Sequence, residues 1–381
     1  MIYLDYAATA PMNEQALTAL NELNREVYGN SHSLHDAGGR AENILEYSRE
    51  QLAGMIGGAK EGVYFTSGGS ESNLLAILSI LNGLPEGRKH WITTTVEHAS
   101  IRNALPLLER LGYRVTAIQP NSQGLVTKEI LENAIQTDTG LVSIQHANSE
   151  TGIIQPLEEL SPLLRARGIV LHSDMVQTFC KLPIDVTRMG VDAASFSSHK
   201  VYGPKGVGAA YIAPAVPWKP VLPGTSHERG FRAGTVNVPG IGAFVTAAAS
   251  VIQDQPEVLA HFRRLRSHLF SQAKQHGIPL TSAANEREVH LLPHVAGCIF
   301  GGMEGQYVML ECNRNGICIS TGTACAAGHQ EPSASLTAIG LRKEDALQFI
   351  RISFGRSTTT EELDQLIQLL ASLKGGGPID G

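Results

Sequence analysis

An aspartate and a lysine in the middle of the chain have the surroundings of a cofactor site. Asp174 lies in HSDMVQ (172–177), directly after the apolar run GIVL, and Lys200 follows in SFSSHKVYGPK (195–205). A carboxylate at a strand end can keep a ring nitrogen protonated, and a lysine at a sheet edge can act as an amine nucleophile. Pyridoxal phosphate requires both groups. Taken singly, Asp174 also fits a helix-start carboxylate and Lys200 a solvated surface lysine.

The same cofactor needs an anion site for its phosphate and a group stacked on its ring. In SGGSESN (67–73), glycines before a helical pattern would let backbone N–H groups approach an anion. An ordinary Ser-capped turn is the alternative, because the segment is neither a P-loop nor G-x-G-x-x-G. His98 follows the run WITTTV and could stack on an aromatic ring and move protons, or else cap the next helix.

Two residues near the C-terminal end could act on a substrate. Arg351 in IRISFG (350–355) can clamp a carboxylate through two hydrogen bonds, although a strand arginine paired with a surface acid has the same local sequence. Cys325 lies in STGTACAAGH (320–329), a run of small residues typical of an exposed loop. It is the candidate nucleophile.

The chain has five cysteines, an odd number without a C-x-x-C pair, which argues against a disulfide framework. Apolar surroundings predict burial for Cys298 and Cys318. The cysteines interpreted as structural are Cys180, Cys298, Cys312 and Cys318. A zinc or iron–sulfur site formed by Cys312, Cys318, Cys325 and His329 is an alternative, but these spacings match no compact metal-ligand pattern.

Alternating elements must position these residues. From about residue 60 to 212, apolar runs alternate with helix-like segments, which is typical of a largely parallel sheet covered by helices. Polar residues stand at the carboxyl end of each run, where open α/β sheets bind ligands. We therefore predict an α/β fold with the site in that crevice.

Beyond Pro239 the pattern changes. A long helical stretch is predicted over about 240–277, followed by alternating apolar runs and a final helix. Thr359 and Glu362 have the spacing of a capping box. The buried face of that final helix would consist of Leu363, Leu366, Ile367 and Leu370. This region predicts a second, smaller α+β domain.

Composition limits the remaining options. The 381 residues are 43% hydrophobic and 17% charged, which suits two or three globular domains. The formal net charge is -6 and no dense basic run occurs, so we expect neither nucleic-acid nor membrane-surface partners. Residues 1–12 lack a signal-peptide pattern, and no apolar stretch is long enough to span a membrane. We expect a cytoplasmic protein.

Nine ordered motifs are shared with one known family. They are LDYAAT (4–9), FTSGGSESN (65–73), EHAS (97–100), NSETGIIQP (148–156), HSDMVQ (172–177), SSHKVYGPKG (197–206), HERGFRAGT (227–235), STGTACAAG (320–328) and IRISFG (350–355). With them the chain resembles the cysteine desulfurases of the NifS/IscS type, pyridoxal-phosphate enzymes of the class V aminotransferase fold. The resemblance implies a large domain, residues 13–245, with a mostly parallel seven-stranded sheet. A smaller α+β domain would comprise residues 1–12 and 246–381.

The resemblance also implies roles for individual residues. It assigns Lys200, His98 and Cys325 to catalysis; Gly69, Ser70, His98, Asn148, Ser149, Asp174, Gln177, Ser197, His199, Lys200 and Thr235 to the cofactor; and Arg351 with Asn148 to the substrate. Asp174 would pair with the ring nitrogen and Gln177 would face the phenolic oxygen. Thr235 would reach the phosphate bound by a neighbouring subunit, which implies a homodimer. Where the family often has Asn-Asn-Glu this chain has Asn-Ser-Glu, so either Asn148 or Ser149 makes the expected contact.

The activity implied by the resemblance is removal of sulfur from L-cysteine, which leaves L-alanine and a persulfide on Cys325. The persulfide sulfur would pass to an acceptor protein, either an iron–sulfur scaffold or a target enzyme such as quinolinate synthase, since the chain is most similar to the NifS-like branch linked to NAD biosynthesis. A selenocysteine lyase and a class V aminotransferase are the alternatives within the same fold.

Overall fold

The computed structural model describes residues 1–322 and 332–374 of the chain. Its strands are β1 Ile2–Tyr3, β2 Val63–Thr66, β3 His90–Thr94, β4 Arg114–Ile118, β5 Thr139–Ser143, β6 Val170–Asp174, β7 Ala193–Ser197, β8 Gly208–Ile212, β9 Leu280–Ser282, β10 Val295–Phe300, β11 Ile317–Cys318, β12 Ser320–Thr321 and β13 Phe349–Ser353. Its α-helices are α1 Glu14–Glu26, α2 Asp36–Ile56, α3 Gly69–Gly83, α4 Ala99–Arg102, α5 Leu105–Arg110, α6 Lys128–Ala134, α7 Leu157–Ala166, α8 Val186–Met189, α9 Val238–Gln253, α10 Gln255–Gln275, α11 Gly305–Arg314, α12 Ala334–Ala338, α13 Lys343–Leu347 and α14 Thr360–Lys374.

A seven-stranded sheet forms the centre of the larger part, in the order β4-β3-β5-β6-β7-β8-β2. Strands β4, β3, β5, β6 and β7 are parallel, and β8 is antiparallel to both β7 and β2. Every residue of β3, β5, β6, β7 and β8 is buried, as expected where helices cover both faces of a parallel sheet. The predicted α/β fold with a mostly parallel sheet is confirmed.

The sheet explains why distant polar residues meet. Asp174 ends β6, and Lys200 lies in a single 3-10 turn, Ser198–Lys200, that follows the neighbouring strand β7. His98 follows β3 after a short turn. Because β3, β6 and β7 point the same way, these residues come together at the carboxyl edge of the sheet.

A smaller antiparallel sheet, in the order β12-β13-β10-β9, lies in the second half of the chain. Its hydrophobic cluster joins the sheet to helices α10 and α14 through Phe262, Leu269, Ile352 and Leu366. Thr359 and Glu362 form the predicted capping box: Thr359 N donates to Glu362 Oε2 over 3.0 Å, and Glu362 N donates to Thr359 Oγ1 over 3.3 Å. The four apolar residues predicted for the buried face of α14 are all buried.

The helical stretch predicted over 240–277 is two helices rather than one. Helix α9 ends at Gln253, and α10 begins at Gln255 with Pro256 in its first turn. Proline cannot donate a backbone hydrogen bond to the preceding turn, so the first helix cannot continue through it. The predicted domain boundary at 245/246 falls inside α9, which packs against α1 and α2, and it stays a prediction.

The N-terminal segment connects the two parts. Ser353 N, at the end of β13, donates to Leu4 O over 2.8 Å, and Ala7 N donates to Ser353 Oγ over 2.9 Å. Three residues further on, Ala10 N donates to His199 O over 2.9 Å. Residues 4–10 therefore run from the smaller sheet to the carboxyl edge of the larger one.

No described helix combines the length and the apolar character needed to cross a bilayer.

Candidate active site

A cavity of about 420 Å³ opens at the carboxyl edge of the large sheet. The residues predicted for the site that line it are Gly69, Ser70, His98, Ser149, Asp174, Gln177, Ser197, His199, Lys200 and Arg351. They come from six separate segments of the chain. The folded chain thus brings the separately predicted residues to a single place.

Lys200 is not a solvated surface lysine. Its Nζ donates to Ala7 O over 2.6 Å and to Ala8 O over 2.7 Å. Burial and, to a smaller extent, nearby Arg351 lower the pKa of Lys200 to about 8, whereas Asp5 and Asp174 act in the opposite direction. A lysine with such a pKa offers a free amine near neutral pH, as an amine nucleophile must.

Asp174 is held by two donors at the floor of the cavity. Its Oδ2 accepts from Asn73 Nδ2 over 2.7 Å, and its Oδ1 accepts from Val176 N over 3.0 Å. The residue is 8% exposed. Gln177 lies nearby, with Nε2 donating to Ala7 O over 3.0 Å and a buried Oε1 that has no partner among the described residues.

His98 caps a helix, as the alternative prediction had it, and it also lines the cavity. It is the N-cap residue of α4, where Nδ1 accepts from Ser100 N over 3.1 Å. The surrounding protein partly desolvates the ring and so lowers the pKa of His98, whereas Asp174 raises it. Helix capping thus fixes the ring at the edge of the cavity.

The opposite end of the cavity suits an anion. Gly69 and Ser70 open helix α3, whose N-terminal N–H groups favour negative charge. A Cβ on Gly69 would lie only 2.7 Å from Val176 Cγ2, so the close approach requires glycine. His199 shares a 3.0 Å hydrogen bond with Thr9 Oγ1, and burial lowers its pKa to about 4, so it is neutral there.

Arg351 reaches the cavity from β13. Its guanidinium donates to Asp5 Oδ1 over 2.8 Å and to Ser149 O over 3.1 Å. Its Nε is buried and has no partner among the described residues. The sequence also allowed an ion pair between Arg351 and a surface acid. The acid that pairs with Arg351 is Asp5, which is mostly buried.

Asn148 and Ser149 differ in the cavities that they line. Asn148 Oδ1 accepts from Thr151 N over 2.9 Å, and its Nδ2 donates to Ser335 Oγ over 2.9 Å. Asn148 lines an adjacent cavity of about 150 Å³, whereas Ser149 lines both cavities. Thr235 is exposed and does not line the larger cavity.

Burial removes three cysteines as nucleophiles. It raises the pKa of Cys298 and of Cys312 to about 12, and that of Cys180 still further. Cys318 is half-buried, so the burial predicted for it is only partial. Cys325, the predicted nucleophile, and His329 lie outside the described residues. Within the described ranges, no group of three His, Cys, Asp or Glu side chains could hold a metal ion.

Some contributors to the site were not predicted. Asn73 and Asp5 lie within the shared motifs FTSGGSESN and LDYAAT, but the sequence assigned neither of them a role in the site. Their partners are distant in sequence: Asp174 lies 101 residues from Asn73, and Arg351 lies 346 residues from Asp5. The carbonyl groups of Ala7 and Ala8 carry no side-chain signal at all. Only a resemblance at the LDYAAT motif could have suggested that this segment belongs to the site.

The donor set fits pyridoxal phosphate. The cavity holds a carboxylate for the ring nitrogen in Asp174, a low-pKa amine in Lys200, and a helix N-terminus beside a neutral histidine for the phosphate. The unpartnered Oε1 of Gln177 leaves a further polar contact for a ligand.

Comparison with known proteins gives matches along almost the whole chain. Residues 2–366 match the family model described as Aminotransferase class-V. The chain is 57% identical over 373 residues to the NifS protein of Bacillus subtilis (strain 168), by name a cysteine desulfurase, over 98% of this chain and 94% of that one. It is 36% identical over 371 residues to the cysteine desulfurase IscS of Dictyoglomus turgidum (strain DSM 6724 / Z-1310), which covers 97% of this chain and 93% of that one. A solved NifS-like protein has a TM-score of 0.90 at 32% identity, over 98% of this chain and 99% of that chain.

Proposed function

The chain belongs to the class-V aminotransferase family and, within it, to the pyridoxal-phosphate-dependent cysteine desulfurases of the NifS/IscS type, and from this we propose which residues perform the reaction. The substrate is L-cysteine and the products are L-alanine and a persulfide on Cys325. The observation that carries the assignment is the single cavity that contains Lys200, Asp174 and Arg351.

When bound, pyridoxal phosphate supplies an electron sink for the electrons left at the substrate Cα after it loses a proton. Asp174 would hold the protonated ring nitrogen. Lys200 would hold the cofactor, and its amine would take the Cα proton of the substrate, a task suited to its pKa of about 8. Arg351 binds the substrate carboxylate.

The sulfur step balances within the substrate and one thiol. The Cys325 thiolate attacks the substrate sulfur, the carbon–sulfur bond breaks, and a sulfur–sulfur bond forms on Cys325. The electron pair of the broken bond stays with the substrate carbon, which is protonated to become the methyl group of alanine. The step consumes no external oxidant; transfer of the outer sulfur to an acceptor thiol needs none either, and its release as sulfide requires a reductant.

We also propose that the acceptor is a protein, either an iron–sulfur scaffold or a target enzyme such as quinolinate synthase. A cytoplasmic location agrees with the unpaired thiols, because that compartment keeps thiols reduced. The substrate step does not depend on which acceptor is used.

A homodimer would complete the site. Thr235 is exposed and lies outside its own cavity, so its proposed phosphate contact requires a second subunit. The loop that carries Leu34 contacts the segment that leads to Thr235, since the His32 and His227 rings lie 4.2 Å apart. Leu34 and Tyr28 are strongly exposed for apolar side chains, which is typical of a surface that is covered by a partner.

The test is incubation of the purified protein with L-cysteine and a reductant, followed by measurement of alanine and sulfide. We expect both products in equal amounts, and we expect Cys325→Ser to lose both while it keeps the visible absorbance of the bound cofactor. Lys200→Ala should lose that absorbance. The proposal is wrong if a cofactor-loaded protein makes neither product, and amino-group exchange that survives Cys325→Ser would indicate an aminotransferase.

A further inference from the structure

The side-chain amide of Asn73 joins two residues of the candidate site. Asn73 lies in helix α3 and is 1% exposed. Its Nδ2 lies 2.7 Å from Asp174 Oδ2 and 3.1 Å from Ser100 Oγ. An amide nitrogen carries two hydrogens, so both bonds can form at once. The reverse amide orientation would place oxygen against the Asp174 carboxylate, which is unfavourable.

Ser100 continues this chain of hydrogen bonds to His98. Ser100 Oγ lies 2.8 Å from His98 Nδ1, and Ser100 N donates to the same ring nitrogen over 3.1 Å. Because Ser100 Oγ already accepts from Asn73, its own hydrogen is available to His98. While Nδ1 accepts from both the hydroxyl and the backbone N–H of Ser100, it carries no proton, so neutral His98 has its hydrogen on Nε2.

The charged groups around the ring come from three elements. Asp174 lies at the end of β6, Lys200 follows β7, and Arg102 lies on α4 with His98 as its N-cap. Partial desolvation lowers the pKa of His98, Lys200 and Arg102 act in the same direction, and Asp174 opposes them. The ring is therefore neutral at neutral pH. No described residue accepts a hydrogen bond from Nε2.

We propose that Asn73 and Ser100 are positioning residues that orient the Asp174 carboxylate and fix the His98 tautomer together, so that His98 offers the cavity an N–H group and no lone pair. This inference rests on the proposed function. A neutral imidazole of this tautomer donates a hydrogen bond and polarises the group that accepts it. It cannot take the proton of the Cys325 thiol through Nε2, so another group must do so.

The direct test is nitrogen-15 NMR of histidine-labelled holoenzyme, with the His98 signals assigned by their loss in His98→Gln. In the parent protein we expect an unprotonated Nδ1 and a protonated Nε2. Ser100→Ala removes the shorter of the two hydrogen bonds to Nδ1 and leaves only the 3.1 Å backbone contact, so it should give a measurable population of the other tautomer. Ser100→Thr, which keeps the hydroxyl, should restore the parent signals. Ser79→Ala is the matched control, because Ser79 lies in α3 and its buried hydroxyl has no partner among the described residues.

Kinetic and spectroscopic measurements provide a second readout. Ser100→Ala should lower kcat by about tenfold with little change in KM for L-cysteine, because the substrate carboxylate is bound elsewhere. Asn73→Ala should shift the pH midpoint of the cofactor absorbance by about one unit, because Asp174 loses a donor. Ser79→Ala should change neither quantity.

The inference is wrong if Nδ1 of His98 is protonated in the parent protein. It is also wrong if Ser100→Ala behaves like Ser79→Ala in both the NMR spectrum and kcat. If Asn73→Ala does not fold, Ser100→Ala and its threonine rescue decide the outcome alone. The NMR result is independent of turnover, so it separates failure of this inference from failure to produce alanine and sulfide.

Discussion

Glu97 is a buried carboxyl group beside the candidate site. It is 3% exposed, and its Oε1 accepts from Thr94 Oγ1 over 2.8 Å and from Gln145 N over 2.9 Å. Its Oε2 has no partner in the described part of the chain. Burial and, to a smaller extent, Asp174 raise the pKa of Glu97 to about 8, despite the two donors on Oε1. Glu97 therefore keeps its proton at neutral pH.

This protonation makes the stability depend on pH. Between the ordinary value near 4.5 and about 8, the folded chain holds a proton that the unfolded chain has lost, so the free energy of unfolding falls as pH rises through that range. Glu97→Gln should remove this fall, which amounts to a few kcal/mol, on the order of 1.4 kcal/mol per unit of pKa shift. Denaturant unfolding at pH 5 and pH 8 measures it. Identical pH dependence in the two proteins would contradict the prediction.

The amine of Lys200 should determine how fast the apoprotein captures pyridoxal phosphate. With a pKa of about 8, the capture rate should rise about tenfold per pH unit below 8 and then level off. Stopped-flow absorbance follows this reaction. Asp5→Asn should move the midpoint to lower pH, because Asp5 raises the pKa of Lys200. A midpoint above pH 10, as for an exposed lysine, would contradict the burial argument.

Sequence reasoning at the residue scale succeeded where the signal was local. Asp174 and Lys200 each follow an apolar run, so their position at a strand end could be predicted. Asn73, Asp5 and Ser100 act through partners on other elements, and nothing in their neighbourhood indicates such partners.

At the scale of elements, a buried ion pair holds the turn His227–Gly230 against the start of β2. Arg49 NH1 and NH2 donate to Glu228 over 2.8 and 3.0 Å, and Phe65 N donates to Glu228 Oε2 over 2.7 Å. Glu228 and Arg229 have φ of 47° and 55°, a left-handed conformation that is strained for these residues. The ion pair keeps this strained turn in place, seven residues before Thr235.

Glu228→Gln should therefore destabilise the fold strongly. Removal of the Glu228 charge leaves buried Arg49 with only the more exposed Glu46 as its partner, 2.9 Å from Nε, and loss of a buried partner costs about 3–5 kcal/mol. Denaturant unfolding measures the loss. The double variant Glu228→Gln with Arg49→Met should recover part of it, because neither charge of the buried pair remains and Glu46 keeps Lys60 as a partner. A cost below about 1 kcal/mol for the single variant would show that water or another group compensates Arg49.

Element boundaries illustrate which local signals suffice. The capping box at Thr359 and Glu362 was predicted correctly, because both partners lie within one turn. The division between α9 and α10 was missed, because apolar residues recur at helical spacing both before and after Gln255 and Pro256. The antiparallel direction of β8 depends on its neighbours in the sheet, and strand composition carries no information about it.

At the scale of the whole molecule, the exposed apolar side chains should mark the dimer surface. Leu34 and Tyr28 have relative exposures of 105% and 75%. Leu34→Asp should convert the proposed dimer to monomers, as measured by analytical ultracentrifugation, and should weaken cofactor binding because Thr235 of the partner is lost. Leu17→Asp is the control, since Leu17 is also exposed but lies on α1. A monomeric parent protein, or a Leu34→Asp dimer, would contradict the proposed assembly.

The path of residues 4–10 has a consequence for the timing of synthesis. Asp5 contacts Arg351 across 346 residues of sequence, and Ala7 binds Ser353. At typical rates of about 5–20 residues per second, the N-terminal segment leaves the ribosome roughly 20–70 s before its partners exist. The nascent chain can form the large sheet during that interval, but Arg351 is not yet made. The candidate site is therefore assembled only after β13 has emerged and can meet residues 4–10.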